Sequence, residues 1–154
     1  MIHIYYGYGK GKTCSAIGAG MRAHGAERQV LLVQFLKDNK SSELRALPFD
    51  VYRAPEQLPF NPDDSYQQWI DNAFDYIRNS NADIIILDEF LDVIDRFVSA
   101  PSAVNLIKEL KGEVIITGHC KNDELFEMAD YITYLKKEKH PYDLGIKARE
   151  GIEY

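Results

Sequence analysis

Cysteine is scarce in this chain: Cys14 and Cys120 are the two present among 154 residues. So few thiols build neither a disulfide framework nor a paired-cysteine zinc pattern, and a reduced, cytoplasmic setting is expected. Charge of one sign is not massed anywhere. The formal net charge is -6 with no long basic run, which disfavours nonspecific binding to nucleic acid or to an anionic membrane. No apolar run approaches the roughly 20 residues that span a bilayer. No signal-peptide pattern is expected, because the N-terminal residues read directly as a strand. Internal repeats and low-complexity segments are also missing. What remains is a composition that is 45% hydrophobic and 27% charged, ordinary for a globular chain whose length suits one domain over residues 1–154.

Strand and helix signals alternate, so the expected class is α/β with a mostly parallel central sheet. Strands are expected at 2–6, 30–35, 50–54, 84–87, 114–117 and 131–135. The runs Val30-Leu31-Leu32-Val33 and Ile84-Ile85-Ile86-Leu87 suit strands covered on both faces. Helices are expected at 12–24 with Gly25 as C-cap, from a cap at Asp63, Asp64 or Ser65 to about 79, at 90–98, at 102–111 and at 123–129. In the second of these Trp69, Ala73, Tyr76 and Ile77 share a face at helical spacing. Residues 37–47 read as polar and irregular, and Pro55, Pro59 and Pro62 stiffen a loop. The tail, 139–154, carries few helix or strand signals.

The chemistry begins at Gly7-Tyr8-Gly9-Lys10-Gly11-Lys12-Thr13. A strand enters a glycine-rich turn that ends in Gly-Lys-Thr and opens a helix. Glycines let backbone N–H groups face an anion, and the helix N-terminus adds partial positive charge. Lys12 neutralises phosphate and the Thr13 hydroxyl can ligate Mg²⁺. The reading is a nucleoside triphosphate site. The common pattern G-x-x-x-x-G-K-[ST] would place glycine at position 6, which is Tyr6, so this loop is shorter and holds an extra Lys10. A plain hairpin turn is the bland alternative, but a hairpin does not call for Gly-Lys-Thr before a helix.

Asp88 and Glu89 end the strand 84–87 at the sheet edge where ligands of open α/β sheets bind. Either carboxylate can hold Mg²⁺ beside Thr13, or the pair can cap the next helix. His119 and Cys120 follow strand 114–117 on the same edge. As a metal or nucleophile pair they lack a third group, and a solvated loop histidine is the simpler account. Cys14, on the first helical turn, suits packing better than reactivity. The tail is too rich in aromatic and aliphatic residues for a frayed end. It is expected to lie over the sheet edge, where Lys147 and Arg149 can meet phosphate.

Taken together, the loop, Val33-Gln34-Phe35-Leu36-Lys37, Ile86-Leu87-Asp88-Glu89, Ile115-Ile116-Thr117-Gly118 and the tail Lys139-His140-Pro141-Tyr142-Asp143-Leu144-Gly145-Ile146-Lys147-Ala148 resemble the P-loop-type ATP:corrinoid adenosyltransferases. The resemblance runs from Tyr5 to Tyr154. Loop and acid pair are generic to P-loop proteins; the tail pattern, with its Gly151-Ile152-Glu153 ending, is the specific part. Three positions depart from the family pattern: Tyr8 stands where asparagine is usual, Cys14 where threonine is, and His119 where arginine is. A histidine lacks arginine's fixed charge and bidentate fork.

The resemblance implies a P-loop NTPase, RecA-like domain with helices on both sheet faces and residues 139–154 over the active site. It implies transfer of the 5′-deoxyadenosyl group of ATP to Co(I) of a reduced corrinoid, with release of triphosphate. ATP then lies reversed relative to ordinary P-loop proteins, so that the loop grips the terminal phosphate. Gly7, Tyr8, Gly9, Lys10, Gly11, Lys12, Thr13 and Cys14 form the nucleotide site; Thr13, Asp88 and Glu89 hold Mg²⁺; and Lys12, Thr13 and Glu89 are the catalytic set. Arg22, Gln34 and Glu43 surround the nucleotide or corrinoid, and His119 and Lys147 are placed at the phosphates. Leu58 and Phe60, in the proline loop, fall where related enzymes press side chains against the lower corrinoid face to expel the axial ligand. A homodimer and a flavoprotein-type reductant are implied in the same way. Two rival readings stand beside this one: another P-loop ATPase or phosphotransferase, and a nucleotide-dependent interaction module.

Overall fold

Four apolar runs of the chain lie side by side, and their alternation builds two cores at once. In the computed structural model, which describes residues 1–37, 39–55 and 64–154, the strands are β1 (Ile2–Tyr6), β2 (Val30–Gln34), β3 (Asp50–Tyr52), β4 (Ile84–Asp88), β5 (Glu113–Gly118) and β6 (Tyr131–Tyr134). They form one sheet in the order β3-β2-β4-β5-β1-β6, and every pairing is parallel. The helices are α1 (Lys12–Gly25), α2 (Asp64–Arg78), α3 (Ala100–Glu109) and α4 (Asp123–Met128). Short 3₁₀ turns occupy Ser42–Arg45, Phe90–Asp92 and Pro141–Leu144.

Successive strand residues point to opposite faces. Val30, Leu32, Ile84, Ile86 and Ile115 face Ala16 of α1 and Leu44. Leu31, Val33, Ile85, Leu87, Val114 and Ile116 face Ile70 and Ala73 of α2, Leu106 of α3 and Leu125 of α4. Helices thus cover both faces, and β2 and β4 are buried along their whole length. Because all strands run the same way, their C-terminal ends share one rim. There Gln34 pairs with Asp88, and Tyr6 pairs with both Gly118 and Tyr134.

Several boundaries differ from the sequence reading for local reasons. Gly25 is the last residue of α1, not its cap; Ala26 caps it, and Glu27 takes the left-handed turn at φ 61°. The expected helix at 90–98 is a 3₁₀ turn followed by a tight loop. Glu89 at φ 62° and Asp95 at φ 64° break the helical backbone on either side, and Phe90, Leu91, Val93, Ile94 and Val98 are all buried. The spacing of these apolar residues is that of an amphipathic helix, but the left-handed backbones at Glu89 and Asp95 override it. In α2 the buried face is Tyr66, Ile70, Ala73, Phe74 and Ile77; Tyr76 is exposed and lies against Tyr52. The proposed caps of α2 lie at or beside residues outside the described set. The polar segment 37–47 and the tail each contain a 3₁₀ turn.

Ile86 is fully buried in β4, whereas Ile132 on the edge strand β6 is 47% exposed. Ile86→Ala is expected to cost about 2–5 kcal/mol, and Ile132→Ala about 0.5 kcal/mol or less. Urea unfolding measures both.

Candidate active site

The turn after β1 is held down from above as well as below. Gly7 N–H donates to Gly118 O at 3.1 Å, and Gly9 N–H donates to Leu135 O at 2.7 Å. Leu135 N–H in turn donates to Tyr6 O, so the chain leaving β6 crosses directly over the loop. A Cβ at Gly9 would stand 2.6 Å from Leu135 O and 2.8 Å from Lys136 O, so glycine is required there by close backbone approach. Gly11 is the N-cap of α1, in the left-handed region at φ 110°, and no side chain caps that end. The first amides of α1 are therefore oriented towards whatever lies above the loop. Lys12 is buried, and its Nζ donates to Gly7 O at 2.7 Å and Gly9 O at 3.2 Å. Burial pushes its pKa down, against the opposing pull of Glu89, Asp92 and Asp88.

Asp88 sits at the end of β4 with 0% exposure and is surrounded by donors. Thr117 Oγ1 donates to Oδ1 at 2.7 Å, and Thr13 Oγ1 at 2.9 Å. Lys37 Nζ donates to Oδ2 at 2.6 Å and Gln34 Nε2 at 3.3 Å. The Lys37 ammonium also reaches Thr13 Oγ1 at 3.0 Å, so ammonium, hydroxyl and carboxylate all touch one another. Burial opposes its charge, but the Coulomb attraction and hydrogen bond of Asp88, with Glu89 and Glu43 behind, hold its pKa above the usual lysine range. Gln34 Nε2 extends the network to Glu43 at 3.2 Å.

Glu89 follows with its backbone at φ 62° and its N–H donating to Thr117 Oγ1 at 2.8 Å. Its carboxylate lies 4.0 Å from Lys37 Nζ. Burial raises its pKa; Lys37 and His119 act against that, while Asp88 and Asp92 add to it. Beyond it, Asp92 accepts from His119 N–H at 3.0 Å and faces His119 Nδ1 at 2.9 Å. The hydrogen bond to the Asp92 carboxylate keeps His119 above the usual histidine pKa, despite its partial burial. The exposed Tyr8 ring lies 5.3 Å from the His119 ring.

The tail closes the other side. Lys10 Nζ donates to Ile152 O and lies 3.6 Å from Glu153. Ser42 Oγ donates to Tyr154 O at 3.1 Å, and Arg45 pairs with Glu150 at 3.2 Å. Arg149 holds Glu153 through backbone and guanidinium and pulls its pKa down to about 2. Between loop and tail lies a cleft of about 600 Å³, within the range of small-ligand sites.

Gly9, Lys10, Gly11, Lys12, Thr13, Cys14, Glu43 and Glu89 all line this cleft. Gly7 begins the loop, while Gln34 and Asp88 lie beneath it, joined to Thr13 and Glu43 by the hydrogen bonds above. Tyr8 and His119 stand together at one side. Arg22, exposed on α1, and Lys147, exposed in the tail, do not line the cleft, and Arg149 is engaged by Glu153. Leu58 and Phe60 lie outside the described residues. Lys37, Thr117 and Asp92 belong to the same network of contacts and were given no role in the sequence reading. Lys37 stood in a segment read as polar loop, and a lysine three residues past a buried strand's end was the available signal. Thr117 carries the one hydroxyl in an otherwise apolar β5 core, which asks for a partner.

The model of the family described as "ATP:corrinoid adenosyltransferase BtuR/CobO/CobP" matches residues 1–154. The chain is 30% identical over 168 aligned residues to the corrinoid adenosyltransferase of Escherichia coli K12, covering 100% of this chain and 85% of that protein. It is 29% identical to a corrinoid adenosyltransferase of a Sinorhizobium species, covering 100% and 80%. To the Salmonella typhimurium corrinoid adenosyltransferase CobA it is 27% identical, covering 100% and 85%.

Asp88→Asn leaves the Lys37 ammonium facing an amide and is expected to cost about 3 kcal/mol in urea unfolding. Lys37→Met in that background should recover part of the loss; strictly additive costs would show that the two groups are not coupled. Glu89 makes the opposite contribution. A carboxyl whose folded pKa is raised stabilises at low pH, and that stability is lost as pH rises through the raised value. Glu89→Gln is therefore expected to melt higher than the parent at neutral pH, with the gap closing below the ordinary glutamate range. Melting curves across pH 3–8 measure it.

Proposed function

Because the chain belongs to the ATP:corrinoid adenosyltransferase family, we propose that it moves the 5′-deoxyadenosyl group of ATP onto the cobalt of a reduced corrinoid. The observation that carries the site assignment is the shared rim: the glycine turn with Lys10 and Lys12 borders the same cleft as Thr13 and Glu89, and the tail covers it. In the transfer, the electron pair of the Co(I) substrate attacks carbon 5′ of ATP. The C5′–O5′ bond breaks, and triphosphate leaves with that bond's electrons. Cobalt becomes alkylated and formally Co(III). The nucleophile belongs to the corrinoid, so the protein's work is alignment and stabilisation of charge on the leaving group.

Triphosphate is the leaving group, so charge grows on the phosphate nearest the sugar and spreads along the chain. Lys10, Lys12 and the first amides of α1 supply positive potential at the terminal end of that chain, which draws the spreading charge away from the sugar. The loop's grip on the terminal phosphate, with ATP reversed, is part of this proposal. The donor set fits Mg²⁺: the Thr13 hydroxyl, Asp88 and Glu89 offer hard oxygens at one strand end, already arranged about a cation, the Lys37 ammonium. Bound there, Mg²⁺ would neutralise phosphate charge. Gln34 and Glu43 are joined to this set by hydrogen bonds, and His119, beside Tyr8, stands where the family's arginine would meet phosphate. Arg22 has a role on the resemblance alone, as do Leu58 and Phe60 as the wedge under the corrinoid; the phosphate contact expected of Lys147 from the tail's placement has no support in the cleft lining. A homodimer, a flavoprotein-type reductant and a cytoplasmic location belong to the same proposal. Among the described residues no helix is long and apolar enough to cross a membrane.

Incubation with Mg-ATP and chemically reduced cobalamin is expected to give the adenosylcobalamin spectrum with one triphosphate per turnover. Phosphate release without corrinoid would instead point to an ATPase or phosphotransferase. Lys12→Met is expected to lower kcat about 10²–10³-fold, as loss of a preorganised charge contact does. Stopped-time assays of triphosphate read that loss.

A further inference from the structure

The oxygens proposed for Mg²⁺ already share a cation of the chain's own. Lys37 Nζ lies 2.6 Å from Asp88 Oδ2, 3.0 Å from Thr13 Oγ1 and 4.0 Å from Glu89 Oε1. Asp88 has 0% exposure, so a metal ion reaches its carboxylate only by taking the place of a group already there. Four side chains donate to that carboxylate, and they are not equally replaceable. Thr117 and Gln34 are strand residues with 1% and 2% exposure, fixed by the sheet. Thr13 is itself one of the proposed metal donors. Of the four, Lys37 lies outside every strand and helix, lines the cleft and keeps 21% of its side chain exposed. The backbone before it is tied down: Phe35 N–H donates to Asp88 O at 2.9 Å, and Leu36 N–H to Tyr66 Oη at 2.7 Å. The ammonium, on its flexible four-carbon stem, is the part that can move.

Resting on the reading of Thr13, Asp88 and Glu89 as the Mg²⁺ donors, we propose that Lys37 is their exchangeable counter-ion. The ammonium and the metal hold the same oxygens in turn, and the ammonium that Mg²⁺ displaces turns into the cleft to bind the triphosphate. Charge argues for exchange over coexistence. Ionised, Asp88 and Glu89 bring two negative charges, which a dication neutralises unaided. A dication and an ammonium on the same oxygens repel each other strongly in a buried setting. Exchange therefore releases one positive charge beside phosphates that can use it. Metal arriving alone must expel a bound ammonium and gains nothing for it. Metal arriving with ATP delivers that ammonium to a phosphate, so the site takes metal and nucleotide together.

The test uses the full chain and Mn²⁺, an ion that suits the same oxygen donors and reports its binding by electron paramagnetic resonance. Without nucleotide, Lys37→Met is expected to bind Mn²⁺ about ten-fold tighter than the parent, or more. A merely structural lysine predicts the opposite sign, because a loosened donor set holds metal worse. Lys10→Met removes a charge from the same cleft but touches none of the three donors, and is expected to change Mn²⁺ affinity by less than about three-fold. ATP affinity is then measured in chelator and in saturating Mn²⁺. The factor by which Mn²⁺ tightens ATP binding is expected to fall about ten-fold in Lys37→Met. Circular dichroism checks each variant; if Lys37→Met is not folded, Lys37→Gln, which keeps a donor towards Asp88, decides. Mn²⁺ affinity in the Lys37 variant at or below the parent's overturns the proposal. So does an equal gain in Lys10→Met, or an unchanged coupling to ATP. Glu89→Gln separates the two readings. If ATP-dependent Mn²⁺ binding survives that substitution, the metal position is wrong and both fall. If it is lost while Lys37→Met gains nothing, the counter-ion role alone fails. Neither measurement uses the transfer reaction, so failure of corrinoid adenosylation leaves both results standing.

Discussion

A single buried carboxylate organises the rim. Asp88 has no exposed surface, so its charge must be met by protein. Four side chains from four parts of the chain meet it: Thr13 from α1, Gln34 from β2, Lys37 from the segment after β2, and Thr117 from β5. Each of those elements is thereby registered to the end of β4. The two threonines also pass the constraint on. Thr117 accepts from Glu89 N–H, and Thr13 stands on the first turn of the helix whose N-terminus faces the cleft. Moving Asp88 would therefore move the loop, the lysine and the second acid together.

The second constraint is backbone against backbone. The chain after β6 presses on the glycine turn so closely that Gly7 and Gly9 have no room for a side chain. This explains a loop of alternating glycines better than phosphate binding alone. Gly9 spends its N–H on Leu135, so that amide is committed to the fold and not to an anion. The anion-binding role proposed for the loop therefore falls more heavily on the first amides of α1 and on Lys10 and Lys12.

Much of this architecture was legible in sequence, because parallel strands buried on both faces are written as unbroken apolar runs. Ile84–Asp88 and Val30–Gln34 were read nearly to the residue, and the Gly-Lys-Thr turn located the rim. The reading failed where tertiary contact overrode local pattern. Residues 90–98 carry helix-forming side chains, but the left-handed backbones of Glu89 and Asp95 serve the site and the core. Lys37 was missed because its partner is 51 positions away, at a strand end that only the fold brings near. Asp92 was missed for the same reason: its role appears once β5 delivers His119 beside it.

Floor and cover of the cleft differ in kind, and the difference bears on how two large substrates enter. The floor is sheet, helix start and a buried ion network, all tied to the core. The cover, from Arg149 to Tyr154, is held by Lys10 to Ile152 O, by Ser42 to Tyr154 O and by the pairs Lys10–Glu153 and Arg45–Glu150. Arg45 and Glu150 are 71% and 62% exposed, so water and salt weaken their attraction. Ile152 and Tyr154 are only part-buried, being 53% and 43% exposed. Segments with few buried contacts open at low cost, independently of global unfolding. The tail is therefore tied to the loop by weaker, more exposed contacts than those that tie Asp88 and its partners to the core.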